Sequence, residues 1–391
     1  IETIITDNPF FYKSINKNFG NDLIVINQSN YFLRFLQIFK KNFKNFLFLL
    51  YSYSLRYFIP KIIPVSSKSS FGKSINIIET IIYTNSFNNN KFNDRHYPGL
   101  FENNEEFSSS SFFILPYYYK IINYFTLFKN LKNSNQNFII PEMFLKFSDY
   151  LSAIFSFLKL FKKFKNIRFN GLDVTDLVID SYYENLISGG SSEGIIRNRL
   201  IKRLKHKNIK IKRYIQWFEN QPIDKGTIIS LKKFYSKTEV IGHMGFYTIP
   251  NVVGVYPSTQ ELNCNLLPDK VAIIGKNLTQ LIKVYCPNLN TILSPAFRFQ
   301  NLLKFSRETK INNKFTILIA LPLFSKDYLM ILKLFALAKK EIFNYKLLIK
   351  THPGSNQKFL SKKLIKLGLI NCKTNNSIHE SLEFSDLVIS S

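Results

Sequence analysis

Little in this chain points to metal, disulfide or dinucleotide chemistry. It has three cysteines in 391 residues. Cys264, Cys286 and Cys372 show no CxxC spacing and no histidine at metal-site spacing, which argues against a zinc site or a disulfide framework and suits a reducing cytoplasm. A glycine fingerprint for a dinucleotide is missing. Ser188-Gly189-Gly190-Ser191-Ser192 lacks the Lys-Ser/Thr ending of a phosphate loop, and reads as a turn with Ser191 or Ser192 as the N-cap of a helix. There is no GxSxG elbow of a serine hydrolase. No DxD stands in a loop after a strand, since Asp173-Val174-Thr175-Asp176 has the wrong spacing, so no metal is expected. No signal peptide is visible.

Acidic residues are scarce as well: 26 against 53 basic ones, for a formal net charge of +27. Such an excess invites an anionic partner. Lys, Asn, Ile, Phe and Tyr are abundant throughout, however, and the lysines are spread rather than clustered. A specific nucleic-acid interface is therefore not expected. An anionic membrane surface or an acidic sugar fits the charge better.

The chain is long enough for two domains with full cores. Residues 1–70 form an aromatic-rich segment whose fold the pattern does not settle. Asp22–Ile26 reads as a strand. Phe43–Val65 is apolar but interrupted by Lys44, Arg56 and Lys61, and its uncharged part, Asn45–Leu55, is far short of the ~20 residues that span a bilayer. A buried core helix is the reading favoured, with an interfacial helix carrying snorkelling basic residues as the alternative. Ser66–Ser70 reads as a linker.

Residues 71–297 read as an α/β domain. Ile75–Tyr83, mostly β-branched and apolar, and Phe112–Tyr118 read as strands of the kind buried on both faces of a parallel sheet, with Asn137–Ile140 as a candidate third. Leu145–Phe164, Leu177–Leu186 and Ile195–Leu204 have helical spacing. Lys212–Trp217, Val240–Ile241 and Val271–Ile274 are further strands. Strands alternating with helices predict a doubly wound sheet. Residues 298–314 read as a crossover, and residues 315–391 as a second Rossmann-like domain. Its elements are the strand Phe315–Leu321, the helix Lys326–Ile342, the strand Tyr345–Lys350 and a last strand at Asp386–Ile389. The chain begins at Ile1 and stops on a strand end at Ser391, so this second domain is expected to be truncated.

Ligands of open α/β sheets bind outside the carboxyl ends of the strands. Thr351-His352-Pro353-Gly354 follows one such strand and Ser390-Ser391 ends another. His352 can offer a hydrogen bond or a proton near neutral pH. Pro353 fixes the turn, Gly354 lets backbone approach a phosphate, and Ser390 and Ser391 can donate hydroxyl and backbone N–H groups. Glu219, just past the strand ending at Trp217, could deprotonate an acceptor hydroxyl; otherwise it pairs Lys225 or orients the loop with Asn220 and Gln221. His243 holds the equivalent place one strand later, as a ligand for acceptor or phosphate or as a buried histidine. The loop Asp94–Gly99 and Arg298 are further candidates for the cleft, with an ordinary turn and an interdomain ion pair as the plainer readings.

Two Rossmann-like halves around a cleft resemble the GT-B glycosyltransferase fold. Lys350-Thr351-His352-Pro353 with Ser390-Ser391 resembles the His-Pro and Ser-Ser motifs of bacterial sialyltransferases and capsule polymerases. The His-Pro pair is also similar to that of teichoic-acid glycerophosphotransferases. Trp217–Gly226 through Pro295–Phe299 resembles a family of surface-carbohydrate biosynthesis proteins from bacterial polysaccharide loci, over about residues 70–391. The resemblance implies a metal-independent transferase without a cofactor, working at the cytoplasmic side of the membrane. Its donor would be a nucleotide-sugar, first of all a CMP-linked acidic sugar, held by Lys350, His352, Pro353, Gly354, Ser390 and Ser391. A glycan or lipid-linked glycan acceptor would lie near Glu219, His243, Asp94 and Arg298. The alternatives are transfer of a polyol phosphate from a CDP carrier and a non-catalytic binding protein on the same fold.

Overall fold

A computed structural model describes residues 3–20, 24–27, 30–63, 74–83, 85–88, 91–100, 111–119, 121, 123–159, 164–247, 252–300, 314–322, 324–338, 344–352, 355–376 and 378–390. The expected linker Ser66–Ser70, most of the 298–314 crossover, and Pro353, Gly354 and Ser391 lie outside them. The chain divides into two compact units, Ile1–Arg298 and Phe299–Ser391.

In the first unit, a small parallel pair, β1 (Thr3–Thr6) and β2 (Ile24–Asn27), flanks the helix α1 (Pro9–Phe19). The central sheet holds β3 (Ile75–Ile82), β6 (Phe112–Tyr118), β9 (Ile211–Trp217), β10 (Glu239–Met244), β11 (Lys270–Ile273) and β12 (Thr291–Leu293). Between β3 and β6 runs a two-residue hairpin, β4 (Phe87–Asn88) and β5 (Lys91–Phe92), and between β6 and β9 another, β7 (Arg168–Phe169) and β8 (Leu172–Asp173). The sheet order is β12-β11-β10-β9-β3-β6, all parallel. From β3 the chain steps outward to β6 and then returns past β3 to β9. The sheet therefore has its topological switch point between β3 and β9, and the carboxyl ends of strands at such a point are where open α/β sheets bind ligands.

The apolar runs that define β3 and β6 are buried on both faces. Ile75, Ile77, Phe113 and Leu115 join the core beneath the helices Gly189–His206 and Pro222–Phe234. Ile78, Ile82, Ile114 and Tyr118 join the opposite one with Leu127 and Phe128 of the helix Tyr124–Asn133. The first two of these helices meet at glycines. A Cβ on Gly226 would lie 2.1 Å from the Gly194 carbonyl oxygen, so only glycine permits this approach.

Several expectations are corrected here. Ser188, not Ser191 or Ser192, caps the Gly189–His206 helix, its side chain accepting from the Ser191 N–H. The Gly-Gly pair is thus the first turn itself. Asn137–Ile140 makes a single parallel bridge, Ile114 with Phe138, rather than a strand. The helix expected over Leu145–Phe164 spans Phe147–Ile154, then tightens to a 3₁₀ turn at Phe155–Lys159. From Phe43 to Ile62 the apolar stretch belongs to a helix that starts earlier, α2 (Tyr31–Ile62). Its inner side enters both cores through Leu49, Tyr53 and Ile59. Buried Arg56 anchors it, with Nε 2.9 Å from Glu142 Oε1 and Nη1 on Glu193 Oε1. Arg34 forks onto Asp180 at 3.0 and 2.8 Å.

The second unit has a three-stranded parallel sheet of order β14-β13-β15, made of β13 (Thr316–Ala320), β14 (Lys346–Lys350) and β15 (Leu387–Ser390). The helices Ser325–Leu337 and Gln357–Lys366 pack Tyr328, Leu332, Leu360 and Leu364 around Ile319 and Ile349. Both units are parallel α/β, and in both the first strand lies between the second and the third.

Candidate functional site

At the switch point, segments distant in sequence converge on the last residue of β9, Trp217. His96 and Tyr97 arrive from the loop after the β4–β5 hairpin, His243 from β10, where it is the register partner of Trp217, and Phe297 from the turn after β12. The His96 and Trp217 ring centroids are 4.2 Å apart. His243 lies 5.6 Å from Trp217, 5.1 Å from Tyr97 and 5.9 Å from Phe297. Gly245 lets this box close, since a Cβ there would sit 2.5 Å from both His243 Cε1 and Trp217 Cζ3.

Both imidazoles are buried. Burial lowers the His243 pKa to about 4, partly offset by the facing Pro295 carbonyl. Burial, with the Arg298 and Arg95 charges, lowers that of His96 to about 3. At neutral pH each ring is therefore uncharged, with one donor and one acceptor nitrogen. His96 Nε2 is 3.3 Å from the Tyr83 hydroxyl. His96 Nδ1 and the Tyr97 hydroxyl have no hydrogen-bond partner among the described residues, while His243 faces the Pro295 carbonyl. Buried polar atoms are normally satisfied, but the floor of this box is tightly closed aromatic packing that leaves His96 Nδ1 and the Tyr97 hydroxyl without a described partner.

The rim differs from the floor. Tyr83 directly follows β3 and stacks on His96, ring centroids 5.9 Å apart. The Arg95 guanidinium lies over its ring at 5.0 Å. Arg298 is close enough to bear electrostatically on both Tyr83 and His96. Both arginines are exposed, and neither forms an ion pair with a described carboxylate. Glu219 stands just beyond β9 and is half-buried. Its Oε1 accepts from the Trp217 indole at 2.7 Å and its Oε2 from Gln221 Nε2 at 2.8 Å. Beneath it, Asp224 Oδ2 accepts from the backbone N–H groups of Glu219 and Gln221, at 3.0 and 2.8 Å. Burial pushes the Asp224 carboxyl up to about 7 against those two hydrogen bonds.

Of the residues expected here, Glu219, His243 and Arg298 belong to this neighbourhood. Because β9 is parallel to its neighbours, Glu219 stands at a carboxyl end. It does not pair Lys225, which bridges to Glu261 at 2.9 Å. The neutral ring of His243 suits a hydroxyl better than a phosphate. Asp94 is different: it is buried, and its Oδ1 accepts from Thr80 Oγ1, His96 N and Tyr97 N at 2.8–3.0 Å. It shapes the loop that delivers His96 and is not a rim ligand. Tyr83, Trp217 and Phe297 were not singled out from sequence. Trp217 had a usable signal, as the only tryptophan of the chain at a strand's carboxyl end.

In the second unit, Lys350 and Ser390 pair with the same residue of β13, Ala320, from opposite sides. Two strand spacings put them about 10 Å apart on one carboxyl edge. His352 is exposed two residues past Lys350, its carbonyl accepting from Ser355 N at 3.0 Å and Gln357 Nε2 at 3.2 Å. Lys350 Nζ donates to the Asn376 carbonyl, so its ammonium is held within this unit.

A groove of about 820 Å³ lies elsewhere, between the helices Gly189–His206 and Pro222–Phe234. Its one carboxylate, Glu261, is bridged to Lys225 at 2.9 Å and its lining holds no histidine, so the switch point is the stronger candidate for acid–base chemistry. Among the described residues, no group of three or more His, Cys, Asp or Glu could hold a metal ion. No family model and no curated protein matches the chain.

Proposed function

We propose that the protein is a glycosyltransferase of the GT-B kind, acting in bacterial surface-polysaccharide assembly. It would move a sugar from a nucleotide-activated donor to a hydroxyl of a glycan. The observation that carries this reading is the box of neutral imidazoles and aromatic rings beside the fixed Glu219 carboxylate. Neutral imidazoles, each with one donor and one acceptor nitrogen, match the chemistry of sugar hydroxyls. The exposed Arg95 and Arg298 at the rim suit an acidic sugar or a phosphate.

In this reading Glu219 takes the proton of the acceptor hydroxyl as its oxygen attacks the anomeric carbon. The bond from that carbon to the donor phosphate oxygen breaks, and the nucleotide leaves with the electron pair. Glu219 can act as base because each of its oxygens keeps a lone pair beyond the hydrogen bond it accepts. Trp217 holds the carboxylate in place. The carboxyl edge carrying His352 and Ser390 would receive the donor phosphates and stabilise the charge developing on them.

The test is calorimetry with CMP, CDP, UMP, UDP and GDP on the wild type and on His352→Ala. One nucleotide should bind at micromolar Kd, and the substitution should weaken it at least tenfold, about 1.4 kcal/mol. Binding of none of the five would sink the donor assignment. Transfer of a polyol phosphate instead would show in the products, because a phosphorus–oxygen bond then breaks and the phosphate travels with the transferred group.

A further inference from the structure

The helix α2 packs one side into its unit, and an apolar stripe on its other side stays exposed among the described residues. The inner side carries the buried contacts of Asn42, Leu49, Ser52, Tyr53, Arg56 and Ile59. On the opposite side Phe32, Leu36, Phe39, Phe43, Leu47 and Leu50 recur at helical spacing, from 38 % exposed at Leu50 to 65 % at Phe32. At 1.5 Å per residue this stripe is about 27 Å long. Apolar stripes of this length on a soluble surface mark a contact site. Phe39 and Phe43 stack on each other at 6.1 Å and have no ring partner beyond that pair among the described residues.

Charge decides what covers the stripe. The 32 residues of α2 include no Asp or Glu. Of its six basic residues, Arg34, Lys41 and Arg56 are paired with Asp180, Glu184, Glu142 and Glu193. Lys40 and Lys44, one turn apart, border the stripe with no described carboxylate in ion-pair distance, and Lys61 lies near the end of the helix over the Tyr57 ring, 3.9 Å from the centroid. A second copy of the chain docked on this face would set these lysines against their equivalents, in a molecule of net charge +27. An anionic lipid surface instead accepts apolar side chains between its acyl chains and ammonium groups at its phosphates. No described helix is long and apolar enough to cross a membrane. The buried Arg56 pairs moreover tie the inner side of α2 to its own unit, so the helix lies along a surface.

We infer that α2 binds an anionic lipid surface through the Phe32–Leu50 stripe, with Lys40 and Lys44 at the headgroups. The test is flotation of the full chain with phosphatidylglycerol or phosphatidylcholine vesicles, beside Phe43→Glu/Leu47→Glu and Lys40→Glu/Lys44→Glu. The wild type should float with phosphatidylglycerol vesicles and at least tenfold more weakly with phosphatidylcholine. Phe43→Glu/Leu47→Glu should lower the partition at least tenfold with an unchanged unfolding midpoint, since both side chains are exposed. Lys40→Glu/Lys44→Glu should weaken binding and reduce its dependence on salt. Flotation that either pair of substitutions leaves unchanged would overturn the inference, as would a wild type that floats with neither vesicle. A dimer dispersed by Phe43→Glu/Leu47→Glu would assign the face to a second copy instead.

Discussion

The Trp217 indole donates to Glu219 Oε1 at 2.7 Å, across the point where β9 ends. One residue thus closes the aromatic floor and also aims the carboxylate beside it. A carboxylate fixed in this way keeps its orientation when an acceptor arrives, which is what a general base requires.

Removing the base and removing its anchor should have different consequences. Glu219→Gln keeps the hydrogen bond to Trp217 but cannot take a proton, so kcat for transfer should fall about 10²- to 10⁴-fold with acceptor binding retained. Trp217→Phe leaves the carboxylate in place without its donor, and a loss of about tenfold is expected. Steady-state kinetics on the two variants, with calorimetry of acceptor binding, separate these roles. Equal losses from both would show that the indole matters for more than aiming Glu219.

The rim arginines should act on binding. Arg298→Ala and Arg95→Ala should each raise KM for an anionic acceptor about tenfold, or about 1.4 kcal/mol, and leave KM for a neutral analogue unchanged. A matched pair of acceptors with and without the acidic group checks this. An equal rise for both would move the arginines out of charge recognition.

His243 sets a dependence of stability on pH. Its folded pKa of about 4 lies below the ordinary ~6.5. As pH falls, the unfolded chain takes up the proton first. The contribution of the neutral ring is therefore complete above pH ~6.5 and is lost as pH falls towards 4. Its size is about 3 kcal/mol from the shift alone, and His96 acts in the same direction. Urea unfolding from pH 7 to 4 should be visibly less pH-dependent in His243→Gln. An unchanged profile would mean the ring is protonated without cost.

Gly226→Ala should destabilise the first unit by about 3 kcal/mol or more, because a Cβ 2.1 Å from the Gly194 carbonyl must push two helix backbones apart. The urea midpoint reports it. A near-neutral result would require the helices to slide without loss.

Arg56→Met should cost about 3–5 kcal/mol by leaving the Glu142 and Glu193 carboxylates without their buried partner. Adding Glu142→Gln and Glu193→Gln should restore part of that, since no buried charge is then left unpaired. If the triple variant is no better than Arg56→Met, the loss comes from packing.

What the sequence determined by itself is the local structure. Mostly β-branched runs such as Ile75–Ile82 put isoleucines on both sides of an extended chain, so they had to be strands buried on both faces. Parallel strands between helices then required a doubly wound sheet, and put Glu219, His352 and Ser390 at carboxyl ends. Three residues of Thr291–Leu293 are too few for any periodicity to show, so the sixth strand was not legible. Nor was the direction of α2, where polar Asn42, Ser52 and Arg56 turn inward and a row of phenylalanines turns outward. Its inner side is chosen by Glu142, Glu193 and Asp180, which lie 86 or more residues away. Only the tertiary structure gathered Tyr83, His96, Trp217, His243 and Phe297, and it did so through strand order. The return of the chain past β3 to β9 puts their carboxyl ends side by side. That order is set by which helices cover which face, a long-range packing choice that no local pattern encodes.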